Sequence, residues 1–147
     1  MQSFVYPAKL TPEKGGGFTV QFPDLPEAIT SGKDRADALI QAADCLEEAV
    51  AGRIADGLDV PVPRVARRKH IQVTLPAPTA AKAALYLAIQ EAGLTNSELG
   101  RKLGLDEKEI RRILDPRHAT RLARIQTVLD FLGKRLVVSL ESSAKVA

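Results

Sequence analysis

The sequence LTNSELGRKLGLDEKEIRRIL, residues 94–114, has the pattern of two short helices joined by a tight turn. Gly104 lies between the two segments, where the turn needs a backbone with positive φ, and Gly100 is small where the helices would approach each other most closely. Apolar residues occur at the positions where two crossed helices touch: Leu99, Leu103, Leu105, Ile110 and Ile113. This pattern predicts a helix-turn-helix.

Both predicted helices carry start signals in the sequence. Thr95 is followed three residues later by Glu98, and Asp106 is followed by Glu109 at the same spacing. This is the capping-box pattern, in which a side chain at the start of the helix and an acid in its first turn bond to each other's backbone N–H groups. Pro116 cannot continue the second helix, which is therefore expected to end before it.

The second helix, residues 106–114, has the charge pattern of a DNA recognition helix. Its solvent side carries arginine, the side chain whose shape best suits guanine and phosphate, and the nearby helix N-termini suit phosphates. The residues expected to contact DNA are Ser97, Glu107, Lys108, Arg111, Arg112 and Arg121. The alternative is a small helical domain whose charged residues are only solvated, and two acids near the helix start, Asp106 and Glu107, weaken a simple electrostatic argument.

Composition excludes several classes of protein. A chain of 147 residues with 45% hydrophobic content can form one domain or two small ones. Proteins that bind single-stranded nucleic acid need aromatic side chains on which bases stack. The chain has no tryptophan and 4% aromatic residues, so duplex DNA is the expected ligand if it binds nucleic acid. The single cysteine, Cys45, excludes an internal disulfide. Because the sequence shows no signal peptide or membrane-spanning run, we expect a cytoplasmic protein that does not bind membranes.

Charge is distributed unevenly along the chain. Residues 1–63 contain five Lys and Arg against ten Asp and Glu, and residues 64–69 (RVARRK) add four basic residues without an acid. Residues 77–147 contain twelve basic against eight acidic residues. An acidic N-terminal part attracts a basic protein and repels DNA, whereas a basic C-terminal part does the opposite. The two parts are therefore expected to bind different partners.

The N-terminal part is predicted to form a small sheet covered by one helix. The glycines in residues 13–17 (EKGGG) are expected to form a hairpin turn rather than a phosphate-binding loop, because no helix follows them closely. Pro7 places the first strand at an edge or a bulge of the sheet. The predicted elements, in order, are strands at residues 3–10, 18–22 and 28–31, a helix at residues 34–56 and a strand at residues 70–75.

The predicted helix at residues 34–56 has an apolar side and an acidic side. The apolar stripe that would cover the sheet consists of Ala36, Leu39, Ile40, Ala43, Leu46, Val50 and Ile54. The opposite side carries Asp37, Asp44, Glu47 and Glu48. Such a side is usually only solvated, but it can also serve a cationic partner.

These residues carry a family resemblance. The segments FTVQFPDLPEAITSG (residues 18–32) and DRADALIQAADCLEEAV (residues 34–50) resemble HicB-type antitoxins. The resemblance implies an N-terminal β-β-β-α-β domain with a partial ribonuclease H-like fold, which binds and silences HicA, a small toxin that cleaves messenger RNA. Many members continue into a DNA-binding domain, which residues 94–114 would supply here as an Xre/Cro-like helix-turn-helix. Glu27 departs from the family, which often has glycine at this position.

The resemblance implies an antitoxin that neutralises a HicA-type toxin and represses its own operon. Residues 1–76 would form the toxin-binding domain and residues 77–147 the DNA-binding and dimerisation domain. Carboxylates can imitate phosphate charge, and apolar residues of the turn can supply buried area. The residues expected to contact the toxin are Phe22, Asp24, Leu25, Glu47 and Glu48.

The expected fold class is α+β, with an all-α C-terminal domain that ends in a strand. Helices are predicted at residues 79–92 and 121–132, on either side of the helix-turn-helix, and a strand at residues 135–140 (RLVVSL). Because a single apolar strand needs a partner, we expect a homodimer, or a higher homo-oligomer, in which this strand pairs across a two-fold axis. Its operator would be an inverted repeat. The interface residues would be Leu136, Val137, Val138 and Leu140. Alternatively, the strand packs on its own chain.

Catalysis is the alternative that a ribonuclease H-like fold raises. Two-metal nucleases need converging carboxylates, normally including one on the first strand, and residues 3–10 contain no acid. His70 and His118 have no metal-ligand spacing with cysteine or acid. We therefore expect no catalytic residues, no metal and no cofactor. Two other hypotheses stay open: a transcription regulator whose N-terminal domain senses a small ligand, and a degenerate nuclease.

Overall fold

The protein forms two compact units. In the computed structural model, which describes residues 1–142, the first unit comprises Met1–Ala80 and the second begins at Ala81. The division falls inside a helix, Ala77–Ala92. None of the helices within the described residues is both long and apolar enough to cross a membrane.

The first unit is a four-stranded antiparallel sheet with one helix packed against it. Its elements are β1 (Val5–Pro12), β2 (Phe18–Phe22), β3 (Leu25–Gly32), α1 (Arg35–Ala55) and β4 (Ile71–Thr74). The strand order in the sheet is β3-β2-β1-β4, so the last strand returns beside the first. The predicted β-β-β-α-β order is confirmed.

The position of β1 differs from the prediction. This strand lies between β2 and β4, whereas Pro7 predicts an edge or a bulge. The register gives the reason, because residues 5–8 pair with β4 and residues 9–12 pair with β2. The half of β1 that contains Pro7 is thus paired on one side only, which leaves a position where a residue without an N–H is tolerated.

Glu27 fits into β3 without backbone strain. Among residues 1–142 no residue other than glycine has a positive φ, so this position does not need the glycine that the family often has. Arg53 of α1 binds both carboxylate oxygens of Glu27, and its Nη1 donates to the carbonyl of Asp59 at 2.8 Å. The bond between the two side chains lowers the pKa of Glu27 and raises the pKa of Arg53. Glu27 therefore ties β3 to α1, and Arg53 in turn ties α1 to the segment that follows it.

The side of α1 that faces the sheet is only partly the predicted one. Its buried residues recur at every fourth position: Ala38, Ala42, Leu46, Val50 and Ile54. Ala36, Leu39 and Ile40 are exposed instead of facing the sheet. The cause is the close approach of α1 to Gly32. A Cβ on Gly32 would lie 2.3 Å from the backbone nitrogen of Ala38. This contact turns the side of α1 that contains Ala38 towards the sheet, so Leu39 and Ile40 lie on the other side and are exposed.

The second unit is helical. Its helices are α2 (Ala77–Ala92, shared with the first unit), α3 (Asn96–Leu103), α4 (Glu107–Leu114) and α5 (Leu122–Phe131). The largest buried residues of its core are Leu85, Ile89, Leu99, Ile110, Ile113, Ile125, Val128 and Leu129. Both predicted capping boxes form: Thr95 Oγ1 accepts from the Glu98 N–H at 3.1 Å, and Asp106 Oδ1 accepts from the Glu109 N–H at 2.7 Å.

The strand predicted at residues 135–140 does not form within the chain. Residues 134–142 have no regular secondary structure, and no strand of the described residues pairs with them. Leu136 is half-buried against the helical core, and its N–H donates to Gln126 Oε1 at 3.2 Å. Val137, Val138 and Leu140 are exposed. An isolated strand has nothing to satisfy its backbone hydrogen bonds, so this segment needs a partner before it can become one.

Candidate functional site

The turn between α3 and α4 is built on two glycines. Gly104 has φ 69° and ψ 28°, the left-handed conformation predicted for it. The Leu105 N–H donates to the Gly100 carbonyl at 2.8 Å, and a Cβ on Gly100 would lie 2.5 Å from the Leu105 oxygen. A larger residue at position 100 would push the turn away from α3. The two glycines therefore set the orientation of α4 relative to α3.

The exposed side of α4 carries three basic residues. Ile110 and Ile113 are buried in the core of the second unit. Because an α-helix has 3.6 residues per turn, Lys108, Arg111 and Arg112 fall on the opposite side, and all three are exposed. This arrangement presents a narrow basic surface on a short, firmly capped helix.

The remaining predicted DNA contacts are also at the surface. Glu107 forms an ion pair with Arg111 one turn along α4, so it limits the free charge of this arginine and restricts its orientation. Ser97 lies exposed in the first turn of α3, and Arg121 lies exposed immediately before α5. All six predicted residues are accessible on the second unit.

Lys82 is a positioning residue that the sequence analysis missed. It is 3% exposed, and its Nζ donates to the Ile113 carbonyl and to Thr120 Oγ1. The last carbonyls of a helix have no partner within the helix and carry partial negative charge, so a buried ammonium group stabilises the end of α4. The signal in the sequence is a lone lysine within the alanine-rich apolar pattern of α2.

Replacing Lys82 with methionine is expected to destabilise the second unit by about 1–3 kcal/mol, because one buried and one half-buried acceptor lose their donor. Methionine keeps most of the apolar length of the side chain, so the change removes mainly the ammonium group. Urea denaturation measures the effect, and Lys102→Met, at an exposed lysine of α3, is the matched control. Equal or greater stability of Lys82→Met would mean that the cost of burying the charge exceeds the value of its hydrogen bonds.

The pH dependence of this difference has a defined sign. Burial lowers the pKa of Lys82 below its ordinary 10.5, with an opposing effect from Asp115. The unfolded chain therefore keeps this proton to higher pH than the folded chain. As pH rises through the folded pKa towards 10.5, the free energy of unfolding of the wild type should increase relative to Lys82→Met. Denaturation at about pH 8 and pH 10 measures this change.

Most residues predicted to bind the toxin have structural roles in the first unit. The side chains of Phe22 and Leu25 are buried in its core, so they cannot supply exposed contact area as expected. The Asp24 side chain is 1% exposed, and its Oδ2 accepts from the Arg64 N–H at 3.0 Å. These three side chains therefore pack inside the first unit.

The two predicted glutamates of α1 differ in accessibility. Glu47 is half-buried, and its Oε1 accepts from the Thr79 hydroxyl at 2.7 Å. Glu48 is exposed. Glu48 is thus the member of the predicted toxin-binding set that stays fully available for a partner.

An exposed stripe on α1 combines acidic and apolar side chains. Ile40, Asp44 and Glu48 recur at every fourth position on the side away from the sheet, and all three are exposed. Leu39 lies beside this stripe and is also exposed. We call these four residues the α1 surface. It offers two carboxylates beside apolar area, a combination suited to a basic protein partner.

Within residues 1–142, no three His, Cys, Asp or Glu side chains come close enough together to hold a metal ion.

Residues 5–84 match a protein family described as a HicB-like antitoxin of bacterial toxin-antitoxin systems. The chain belongs to the HicB-like antitoxin family. The family match covers β1 to β4 with α1 and continues into α2.

Individual HicB relatives align with more of the chain than this match covers. Antitoxin HicB 1 of Photorhabdus laumondii is 35% identical over 92% of this chain and 86% of the relative, and its Antitoxin HicB 2 is 37% identical over 89% and 92%. Antitoxin HicB of Escherichia coli K12 is 34% identical over 89% of this chain and 95% of its own length. The aligned 136 residues of the first relative exceed the length of the first unit, so this similarity extends into the helical unit.

Proposed function

We propose that this HicB-like antitoxin neutralises a small basic toxin through its first unit and represses its own operon through its second unit. Membership of the family and the names of the relatives support the antitoxin role, which is regulatory rather than catalytic. The observation that carries the division of labour is the separation of charge, with an acidic α1 surface on one unit and the basic side of α4 on the other.

The toxin-binding site that we propose is the α1 surface, which replaces the buried turn residues of the original expectation. A toxin that cleaves messenger RNA must bind phosphates, so its own binding surface is expected to be basic. Asp44 and Glu48 can steer such a surface and occupy its cationic groups, while Leu39 and Ile40 supply apolar contact area. Glu47, which is half-buried, accepts a hydrogen bond from the Thr79 hydroxyl and so helps to hold α1 in place.

Reversing the charge of the α1 surface is expected to weaken toxin binding about 100-fold, because like charges facing each other across an interface cost several kcal/mol. The variant is Asp44→Lys with Glu48→Lys, measured by titration calorimetry with the cognate toxin. Asp56→Lys with Asp59→Lys changes the net charge equally at exposed positions after α1 and should bind nearly as the wild type does. Similar affinities for the two variants would remove the α1 surface from the toxin interface.

For operator binding, we propose that α4 enters the major groove. Lys108, Arg111 and Arg112 would reach base edges and phosphates, with Glu107 orienting Arg111 through their ion pair. Ser97 and Arg121, each at the start of a helix, would contact phosphates. The double capping and the short glycine turn support this role, because they hold the helix rigidly on the unit.

We also propose that the second unit forms a homodimer through residues 135–140. Val137, Val138 and Leu140 are exposed, with Leu140 fully so, and the described residues provide no strand to pair with them. Pairing with the same segment of a second copy would satisfy both backbones and bury these side chains. A two-fold dimer matches an inverted-repeat operator.

Copurification is the experiment that tests the proposed function against its alternatives. The chain should copurify with the small basic protein encoded beside it, and the complex should bind the promoter of that operon. A regulator that senses a small ligand would bind DNA without any such partner. Metal-dependent cleavage of nucleic acid by the purified chain would instead support the degenerate nuclease.

A further inference from the structure

A six-residue basic segment of the first unit has no role in the proposed function so far. Residues 64–69 (RVARRK) connect the segment after α1 to β4 and contain four basic residues without an acid. Arg67, Arg68 and Lys69 are exposed. We propose that this segment, the basic loop, binds the phosphates of duplex DNA as a second, sequence-independent contact that rests on the proposed operator binding.

The start of the basic loop is fixed on the fold. The buried carboxylate of Asp24 accepts from the Arg64 N–H at 3.0 Å, and the Arg64 Nε lies 3.0 Å from its other oxygen. Three residues earlier, the Tyr6 hydroxyl donates to the Pro61 carbonyl at 2.8 Å. Burial, with a contribution from Asp24, raises the pKa of Tyr6 to about 12, so this donor keeps its proton at neutral pH.

The end of the loop is fixed as well. The His70 N–H donates to the Arg67 carbonyl at 2.9 Å, which closes a turn with Arg68 and Lys69 at its tip. β4 begins at Ile71 and pairs with β1. The three exposed cations are thus presented on a short loop anchored at both ends, so less conformational entropy is lost on binding than with a free basic tail.

The chemistry of the loop favours phosphate over other partners. Arg64 forms an ion pair with Asp24. Arg67, Arg68 and Lys69, which are consecutive, remain exposed. Arginine binds phosphate through two parallel N–H groups, and lysine adds a point charge. The loop has no aromatic residue for stacking on bases, and six residues are too few to form a stable protein interface by themselves.

The experiment measures the salt dependence of DNA binding by the full chain. We compare the wild type with a triple variant that carries Arg67→Gln, Arg68→Gln and Lys69→Gln. Each is titrated against the operator duplex and against a scrambled duplex of equal length, between about 50 and 200 mM salt. Each lost phosphate contact lowers the slope of log K against log salt by about 0.9, so the triple variant should lose about 2–3 in slope on both duplexes. The control, Lys9→Gln with Lys33→Gln and Arg35→Gln, removes three exposed cations of the same unit and should keep the wild-type slope.

The outcomes separate this inference from operator repression. A triple variant with the wild-type slope overturns the basic loop as a DNA contact, while operator binding by the wild type still stands. If the wild type binds both duplexes with equal affinity and the triple variant has a reduced slope, the basic loop contacts DNA. The same result argues against recognition of a specific operator. Binding of neither duplex by the wild type overturns both proposals.

Discussion

A chain that carries Arg111→Ala and Arg112→Ala is expected to bind its operator at least about 30-fold more weakly than the wild type. Each arginine that reads a base contributes about 1–3 kcal/mol, so losing both costs about 2–6 kcal/mol. Both side chains are exposed on the side of α4 opposite its buried isoleucines, so the fold should tolerate their removal. Fluorescence anisotropy with operator and scrambled duplexes measures the loss and shows whether it is specific.

The control for this experiment removes two exposed cations from the first unit, Lys33→Ala with Arg35→Ala. It changes the net charge equally without touching α4, so its preference for operator over scrambled duplex should equal that of the wild type. If the Arg111 and Arg112 variant keeps the wild-type preference, α4 is not the recognition helix. An equal loss on both duplexes would assign these arginines to phosphates.

Placing proline at Val138 is expected to convert dimers into monomers and to abolish tight binding to a full inverted repeat. Proline removes one backbone donor and obstructs strand pairing. A dimer sets two recognition helices about 34–36 Å apart, whereas a monomer reaches one half-site only. Light scattering gives the mass of the full chain, and binding to whole and half operators gives the consequence for DNA.

Val138→Thr is the matched control, because threonine keeps both the β-branched shape and the N–H of the backbone. It should remain a dimer. Val138 is 79% exposed in the single chain, so neither substitution disturbs the helical core. A Val138→Pro variant that stays dimeric and binds the full repeat normally would show that residues 135–140 are not the interface.

Local rules predicted much of this structure. The capping boxes at Thr95 and Asp106 and the turn at Gly104 depend on neighbouring residues, and all three occur as the sequence indicates. The succession of strands and helix along the chain in the first unit follows from alternation and turn residues in the same way. Such signals are contained within a few residues, so a sequence without a structure is sufficient to find them.

Packing between secondary-structure elements caused the differences between the predictions and the structure. Leu39 and Ile40 have the right period to face the sheet, but α1 approaches Gly32 at Ala38, so the side of the helix that contains Ala38 faces the sheet instead. Apolar residues of a turn can be exposed or buried, and the sequence around Phe22 and Leu25 does not show that both are buried. Lys82 was missed because its acceptor at Ile113 is 31 residues away.

Rescue of toxin-induced growth arrest tests the central claim most directly. Cells that express the proposed HicA-type toxin are grown with the wild type, with the Asp44→Lys and Glu48→Lys variant, or with neither. The soluble amount of each protein is measured. We predict that the wild type restores growth, that the toxin copurifies with it, and that the charge-reversed variant fails to restore growth at equal abundance. Persistent arrest in the presence of abundant, soluble wild-type chain would contradict the assignment of this protein as the antitoxin.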